Sequence, residues 1–311
     1  MRAGLHGFIL ILFLACLPAW AGGEFVVWER KGAPYGLVIP ALPGETGAEA
    51  VGRYVLTLNS EEQLRPFATG LTLSPEDRLR PWKPGSTPTV LALANSQEDL
   101  SLAPDRMRLV LEPLKKRGAR PQVLPVAALR RVENPEAHLA TLHRSVDLLI
   151  ATGGDDIAPS LYGQPVTHAR RINPPRDAEE VAVVRSYLRE GKGFFAGICR
   201  GHQLGGVASG CPLIQDIEKD LRISHPIGVD HEIVQEKEAG PFTRALFGPD
   251  TRQRVVSRHH QAVPGSGGAN ARVTATSADG ASIAEITEYF GGKGVGLQTH
   301  PEDMAGSAFH E

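Results

Sequence analysis

The sequence predicts an α/β fold: a mainly parallel sheet flanked by helices, with an antiparallel extension toward the C-terminus. Three observations predict it. From residue 89, apolar runs of strand length alternate with amphipathic stretches of helix length, the pattern of a parallel sheet covered on both faces. Two of these runs, "DLLIAT" (147–152) and "GFFAGI" (193–198), are almost continuously apolar, as strands buried on both sides are. Beyond residue 212 the strand-like segments come closer together, which fits antiparallel pairing.

Taken in order, residues 1–21, "MRAGLHGFILILFLACLPAWA", have one basic residue near the start, an apolar run and Ala19-Trp20-Ala21 before a glycine pair. This is the layout of a secretory signal peptide, and its apolar run is short for a membrane span. The mature chain is therefore expected to be exported, periplasmic or secreted, with no stable membrane span after signal removal. Residues 22–88 read as an N-terminal extension without an assigned role. Within it "EFVVWER" (24–30) and "RYVLTLN" (53–59) look like strands, "SPEDRLR" (74–80) opens a helical turn, and "PWKPGSTP" (81–88) is a linker or turn.

A domain spanning 89–311 follows. "TVLALAN" (89–95) is a strand, "APDRMRLVLEPLKKRG" (103–118) an amphipathic helix with a glycine stop, and "RPQVLPV" (120–126) a second strand. After a further helical stretch, "VDLLIATGGDD" (146–156) is a strand ending in glycines. "RDAEEVAVVRSYLREGKG" (176–193) is a helix, "FFAGI" (194–198) a strand, and another helix starts at Arg200. The antiparallel part is expected in "DHEIVQ" (230–235), "QRVVSRHHQAV" (253–263), "ARVTATSA" (271–278), "SIAEITEYF" (282–290) and "GVGLQTH" (294–300).

The 311 residues are 41% hydrophobic and 22% charged, enough for a sizeable core. A net charge of −2 gives no electrostatic footprint for nucleic acid or for an anionic membrane surface.

Chemistry concentrates at "GICRGHQL" (197–204), where Cys199 stands between Gly197 and Gly201 directly after an apolar run. A strand, a small-x-nucleophile-x-small turn and a helix make a nucleophile elbow. The helix start would favour a thiolate and aim a backbone N–H at a developing oxyanion. A buried structural cysteine is the alternative reading. A cysteine nucleophile needs a base, and "GLQTHPED" (296–303) supplies His300 and Glu302 around Pro301. Alternation along an extended segment would put the imidazole and the carboxylate on one side; an exposed polar loop is the alternative. No Cys or His cluster with zinc spacing competes with these assignments.

The stretches "TGGDDIAPSLYGQP" (152–165), "RDAEE" (176–180), "GICRGHQL", "LIQDI" (213–217), "SRHHQAV" (257–263), "VTATSADG" (273–280) and "GLQTHPED" resemble, in order and spacing, the class I glutamine amidotransferase-like proteins. More narrowly they resemble the γ-glutamyl hydrolase branch, the C26 peptidase type that includes the γ-glutamyl-γ-aminobutyrate hydrolases. The resemblance covers roughly residues 89–305 and implies a flavodoxin-like sheet. It implies a triad of Cys199, His300 and Glu302 that cleaves γ-glutamyl amide or peptide bonds through a thioester. By the same resemblance the backbone N–H groups of the Gly153-Gly154 turn, at Gly154, and of Arg200 form the oxyanion hole, and Gln203, His259 and His260 line the glutamyl pocket. The triad chemistry requires no metal and no organic cofactor, and the expected partner is a small γ-glutamyl substrate. Beyond the leader the cysteines are Cys199 and Cys211. A disulfide between them would disable the nucleophile, and a helical separation of twelve residues would span ~18 Å, so both thiols are expected free.

Two departures from the family pattern stand out: Gly205-Gly206 inside the predicted helix, where relatives carry other residues, and Thr299 where relatives carry an aromatic. Two other functions stay open at this level. A glutaminase subunit would feed ammonia to a synthetase, but the chain has no GxxxxGK[ST] loop and export would separate it from cytosolic ATP. A non-catalytic binding protein that retains the fold is favoured by Gly205-Gly206 and by the unassigned residues 22–88.

Overall fold

The computed structural model describes residues 24–60, 71–83, 85, 87–94, 105–225, 227–280 and 282–304. The leader segment expected at 1–21 lies outside the described residues. Contacts divide the chain into two units, meeting at Val146 and Asp147.

In the first unit, five strands lie in the order β3-β1-β2-β5-β4: β1 (Phe25–Glu29), β2 (Leu37–Pro40), β3 (Arg78–Pro81), β4 (Thr89–Ala94) and β5 (Arg120–Pro125). The pairs β2–β5 and β5–β4 are parallel, while β1 runs antiparallel to both its neighbours. The boundary expected at 88/89 therefore does not divide the structure. Through Leu37↔Val123, β2 joins the sheet that β4 and β5 build, so residues on both sides of 88 share one core.

Two local expectations are corrected here. "RYVLTLN" is not a strand; it lies in helix α1 (Gly47–Ser60). Its apolar residues Ala50, Val51, Tyr54 and Leu58 fall at helical spacing and are all buried, while Leu56 points outward. A capping box starts the helix: the Glu49 carboxylate accepts from the Thr46 N–H at 2.6 Å, and the Thr46 hydroxyl accepts from the Glu49 N–H at 3.3 Å. "SPEDRLR" opens no helix. Asp77 accepts from the Trp28 indole at 2.8 Å and from the Ser74 and Lys31 backbone N–H groups, which turns the chain so that β3 can pair with β1. Helices α2 (Asp105–Lys116) and α3 (Pro135–Ser145) complete this unit.

The second unit carries seven strands in the order β6-β7-β12-β11-β10-β8-β9. They are β6 (Leu148–Ala151), β7 (Phe194–Ile198), β8 (His231–Gln235), β9 (Arg252–Val255), β10 (Ala271–Ser277), β11 (Ala284–Tyr289) and β12 (Gly294–Leu297). The first three in space are parallel and the remaining pairs antiparallel. The helices are α4 (Pro174–Glu190), α5 (Arg200–Ala208), α6 (Ile217–Leu221) and α7 (Pro241–Phe247). Of "QRVVSRHHQAV", only the first residues form a strand; Ala262 instead makes an isolated bridge with Ile214. Ile233, Phe247, Val255, Ala275, Ile286 and Val295 form the core under the antiparallel strands.

This topology fixes the site. Ala151, at the end of β6, aligns with Gly197 of β7, which aligns in turn with Gly296 of β12. The three parallel strands thus deliver the Gly153-Gly154 loop, Cys199 and His300 to one carboxyl edge, where open α/β sheets place ligands. Among the described residues no helix is long and apolar enough to cross a membrane.

Candidate active site

Cys199 joins β7 to α5 with φ 52° and ψ −107°, a left-handed φ that a non-glycine residue adopts only under strain. The strain is held by close packing on both flanks. A Cβ on Gly197 would strike the carbonyl of Gly201, and one on Gly201 would strike the carbonyl oxygen of Ala151. Both glycines of the elbow are therefore steric requirements. The Cys199 N–H donates to the Leu297 carbonyl at 2.7 Å, tying the elbow to β12.

His300 follows β12. Its Nδ1 lies 2.8 Å from Glu302 Oε1, and both side chains are 6% exposed. The extended segment expected here is instead a 3-10 turn, Pro301–Asp303, with proline at its first position. The carboxylate reaches the imidazole by folding back around this turn rather than by strand alternation. The imidazole also hydrogen-bonds Cys199; with Nδ1 engaged by Glu302, Nε2 is the nitrogen left for sulfur. Burial works against charge on this ring. The hydrogen bonds to Cys199 and Glu302 outweigh it and push the His300 pKa up to about 10. At neutral pH the ring is an imidazolium donating to both partners.

Gly153 packs against the pair: a Cβ there would stand 3.2 Å from His300 Cε1 and 3.7 Å from Cys199 Cβ. Gly154 lines the adjoining cavity, of about 200 Å³, together with Cys199, Gln203, His259 and His260. Arg200 is the first residue of α5, where backbone N–H groups have no intrahelical acceptor. Of the residues expected from the sequence, Gly154, Cys199, Gln203, His259 and His260 line this cavity, while His300, Glu302 and Arg200 are not among its lining residues.

Their side chains, however, are committed differently from the expectation. The Gln203 amide donates to the Gln261 carbonyl at 2.7 Å. His259 has Nδ1 at 3.3 Å from the same carbonyl oxygen, and its Nε2 is buried facing Glu285 at 3.9 Å. His260 Nε2 is 3.0 Å from Asp156. Gln261 holds the glycine loop from both sides, accepting from the Ile157 N–H at 3.0 Å and donating to its carbonyl at 3.4 Å. The His-His-Gln stretch is a brace for the loop beside Cys199.

Several contributors escaped the sequence reading. The Arg200 side chain is fully buried and ion-paired to Asp177, at 2.5 Å, and to Glu180. Asp177 also accepts from the Ala158 N–H at 3.0 Å. Burial pushes the Glu180 carboxyl up against the opposing pull of Arg200 and Arg176. One helix thereby locks both the elbow and the glycine loop. Two acidic residues three apart on the otherwise apolar face of α4 were the available signal. At the cavity, Arg170, Arg171 and Arg258 stand beside Asp155 and Asp156, with Arg258 3.1 Å from Asp303 and Arg171 3.3 Å from Asp155. Nothing in local spacing announces that grouping.

The departures find physical reasons. A Cβ on Gly205 would come within 2.6 Å of the Tyr289 ring, and one on Gly206 within 2.7 Å of Val263. The helix accepts roughly 1 kcal/mol per glycine to let β11 and the segment between β9 and β10 approach. The Thr299 hydroxyl donates to the Val256 carbonyl at 2.8 Å. His202, inside α5, sits between Gln298 and Thr287; burial lowers its pKa to about 4, against the Gln298 bond, so it is neutral. Cys199 and Cys211 are both free.

Comparison with known proteins agrees with this geometry. A family model described as Peptidase C26 matches residues 105–302. Protein NtpR of Enterococcus hirae is 33% identical over 195 residues, covering 58% of this chain and 74% of its own. The glutamine amidotransferase-like protein YvdE of Lactococcus lactis subsp. lactis is 31% identical over 189 residues, covering 58% and 73%. The glutaminase domain of Trypanosoma brucei CTPS, solved with bound acivicin, shares the fold at a TM-score of 0.52 and 14% identity, over 72% of this chain and 91% of that one. With a family match over more than half its length, the chain belongs to the peptidase C26 family, hydrolases of amide bonds with the glutamine amidotransferase-like fold.

Proposed function

We propose that the chain is an exported hydrolase that cleaves γ-glutamyl amide or peptide bonds through a cysteine thioester. The observation that carries this reading is the hydrogen-bonded line from Cys199 through His300 to Glu302, with Cys199 lining a small cavity.

In this reading the Cys199 thiolate attacks the side-chain carbonyl of the γ-glutamyl group, forming the C–S bond. The resulting oxyanion is received by the backbone N–H groups of Gly154 and Arg200, each such donor contributing about 3 kcal/mol of transition-state stabilisation. His300 gives its proton to the leaving nitrogen as the C–N bond breaks, and the amine departs. A water then gives a proton to His300 and attacks the thioester; the C–S bond breaks, Cys199 leaves as the thiolate beside the reprotonated ring, and glutamate departs, its new carboxyl group losing a proton to solvent. Glu302 keeps the ring oriented throughout.

The substrate head group supports the same reading. A γ-glutamyl group carries an α-carboxylate and an α-ammonium, and the cavity is lined by both guanidinium and carboxylate groups. Its volume of about 200 Å³ is below the roughly 300–1,000 Å³ of pockets for drug-sized ligands, in keeping with recognition of a compact amino-acid moiety. Export is supported by the composition of residues 1–21.

The test is release of p-nitroaniline from γ-glutamyl-p-nitroanilide by residues 22–311, beside Cys199→Ala. Turnover confined to the parent supports the proposal. No turnover in either, with Cys199 inert to a thiol-directed glutamine analogue, removes it in favour of a binding protein.

A further inference from the structure

The antiparallel end of the second unit holds a cluster that the proposed hydrolysis does not use. His225 lies in the loop after α6, His231 opens β8, His259 lies between β9 and β10, and Glu285 is in β11. One donor atom from each of His225, His231 and Glu285 lies within 4.8 Å of the others. His231 Nε2 is 2.9 Å from Glu285 Oε1, and His259 Nε2 is 3.9 Å from the same oxygen. The His225 ring centroid is 4.8 Å from that of His231 and 5.0 Å from that of His259. These four positions span 61 residues of sequence without a short ligand motif, so spacing alone hides them.

Two observations point to a ligand. First, among the described residues His259 Nε2 and Glu285 Oε2 have no hydrogen-bond partner, although His259 is only 4% exposed and Glu285 0%. Buried polar atoms left bare are rare because nothing replaces their lost hydration. Second, the outer nitrogens of two histidines are already engaged. His225 Nδ1 is 2.7 Å from the Asp279 carboxylate, and His259 Nδ1 is 3.3 Å from the Gln261 carbonyl oxygen. Both acceptors select the Nδ1–H tautomer, which leaves Nε2 of each ring with a lone pair; that of His225 stands 3.4 Å from the Ser257 hydroxyl and that of His259 3.9 Å from Glu285. Metal-binding histidines are oriented by carboxylates and carbonyls in this way.

We infer that His225, His231, His259 and Glu285 bind one divalent transition-metal ion of the zinc type. Three imidazole nitrogens and a carboxylate oxygen suit zinc and its neighbours, whereas calcium and magnesium require more oxygen ligands. Tetrahedral ligands about 2.0–2.1 Å from zinc stand ~3.3 Å apart, so His231 and Glu285, now 2.9 Å apart, open slightly around the ion while His259, 3.9 Å from Glu285, closes in. Three of the ligands are buried and His231 is partly buried; they come from β8, β11 and two loops, making this a structural site rather than a second reaction centre. Its bearing on catalysis is positional, because His259 lies two residues before Gln261, the brace of the glycine loop.

The test uses the full mature chain carrying Cys199→Ala, so that the nucleophile cannot bind metal. After chelation and dialysis, Zn²⁺ or Co²⁺ is added. The proposal predicts ~1 ion per chain by elemental analysis, tetrahedral Co²⁺ absorption without a thiolate charge-transfer band, and a rise in Tm on metal addition. Glu285→Gln and His231→Ala should each lose the stoichiometric ion and the Tm response. Failure of the chelated parent to bind either ion, or stoichiometric binding retained by both variants, would overturn it. Should a variant not fold, the parent's cobalt spectrum still decides. None of these readouts depends on γ-glutamyl turnover.

Discussion

Helix α5 has a cysteine near each end, and the two have almost nothing else in common. Cys199 precedes the first turn, strained at φ 52° and hydrogen-bonded to His300. Cys211 follows the last turn, its N–H donating to the Gly206 carbonyl at 2.9 Å, and burial pushes its thiol up to about 11. Their exposures, 6% and 1%, are close. Burial therefore does not separate the proposed nucleophile from a packing residue. What separates them is the end of the helix they occupy and the cation within reach, since N–H groups face one end and carbonyls the other.

The largest effect expected from this contrast is on turnover. Cys199→Ala should lower kcat/KM on γ-glutamyl-p-nitroanilide by on the order of 10⁴-fold or more. Cys211→Ala should stay within about twofold, since it removes only a sulfur from a packed site. Comparable losses from both would erase the distinction.

Next comes the support behind the first turn. Arg200→Met keeps the backbone N–H but leaves the Asp177 and Glu180 carboxylates buried without their main cation. Denaturant unfolding should show a loss of about 3–5 kcal/mol. A neutral result would mean that the ion network does not hold the elbow.

The imidazole sets the pH dependence. His300 has its pKa raised from 6.5 to about 10 in the fold. Its contribution to stability is therefore fully present below the unfolded value of 6.5 and is lost as pH climbs through about 10. The alkaline limb of kcat/KM should fall near the same upper value, because the leaving nitrogen needs that proton. Glu302→Gln removes part of what holds the proton. It should cut kcat by roughly 10²-fold or more and move the limb to lower pH. An unmoved limb would show that Glu302 does not act on the ring.

The smallest effect concerns the helix interior. Alanine at Gly205 gains roughly 1 kcal/mol of helix propensity but meets the Tyr289 ring, whose hydroxyl is fixed to the His202 carbonyl at 2.7 Å. Overpacking costs about 1–3 kcal/mol, so the net change in unfolding free energy should be a modest loss. A gain would show that the close approach is not what requires the glycine.

How far the sequence revealed all this follows from how local each determinant is. The elbow was legible because its glycines must sit two residues either side of the nucleophile. The parallel strands were legible because both of their faces are buried. Helix α1 was misread because Tyr54, Val55 and Thr57 favour strands locally, while the capping box at Thr46 and Glu49 and the spacing of Ala50, Val51, Tyr54 and Leu58 specify a helix. The reach of Glu302 was right in outcome but came from a proline-started 3-10 turn. The brace at Gln261 and the grouping of His225, His231, His259 and Glu285 depend on which strands become neighbours, which no local pattern encodes.

The most direct test of the contrast between the two cysteines is alkylation of the native chain with iodoacetamide at neutral pH, mapped by peptide mass spectrometry over time. Carbamidomethylation should appear at Cys199, with Cys211 unmodified until the chain is unfolded. Modification of both at similar rates, or of Cys211 first, would contradict the claim that position at the helix start and the His300 imidazolium make one thiol the nucleophile.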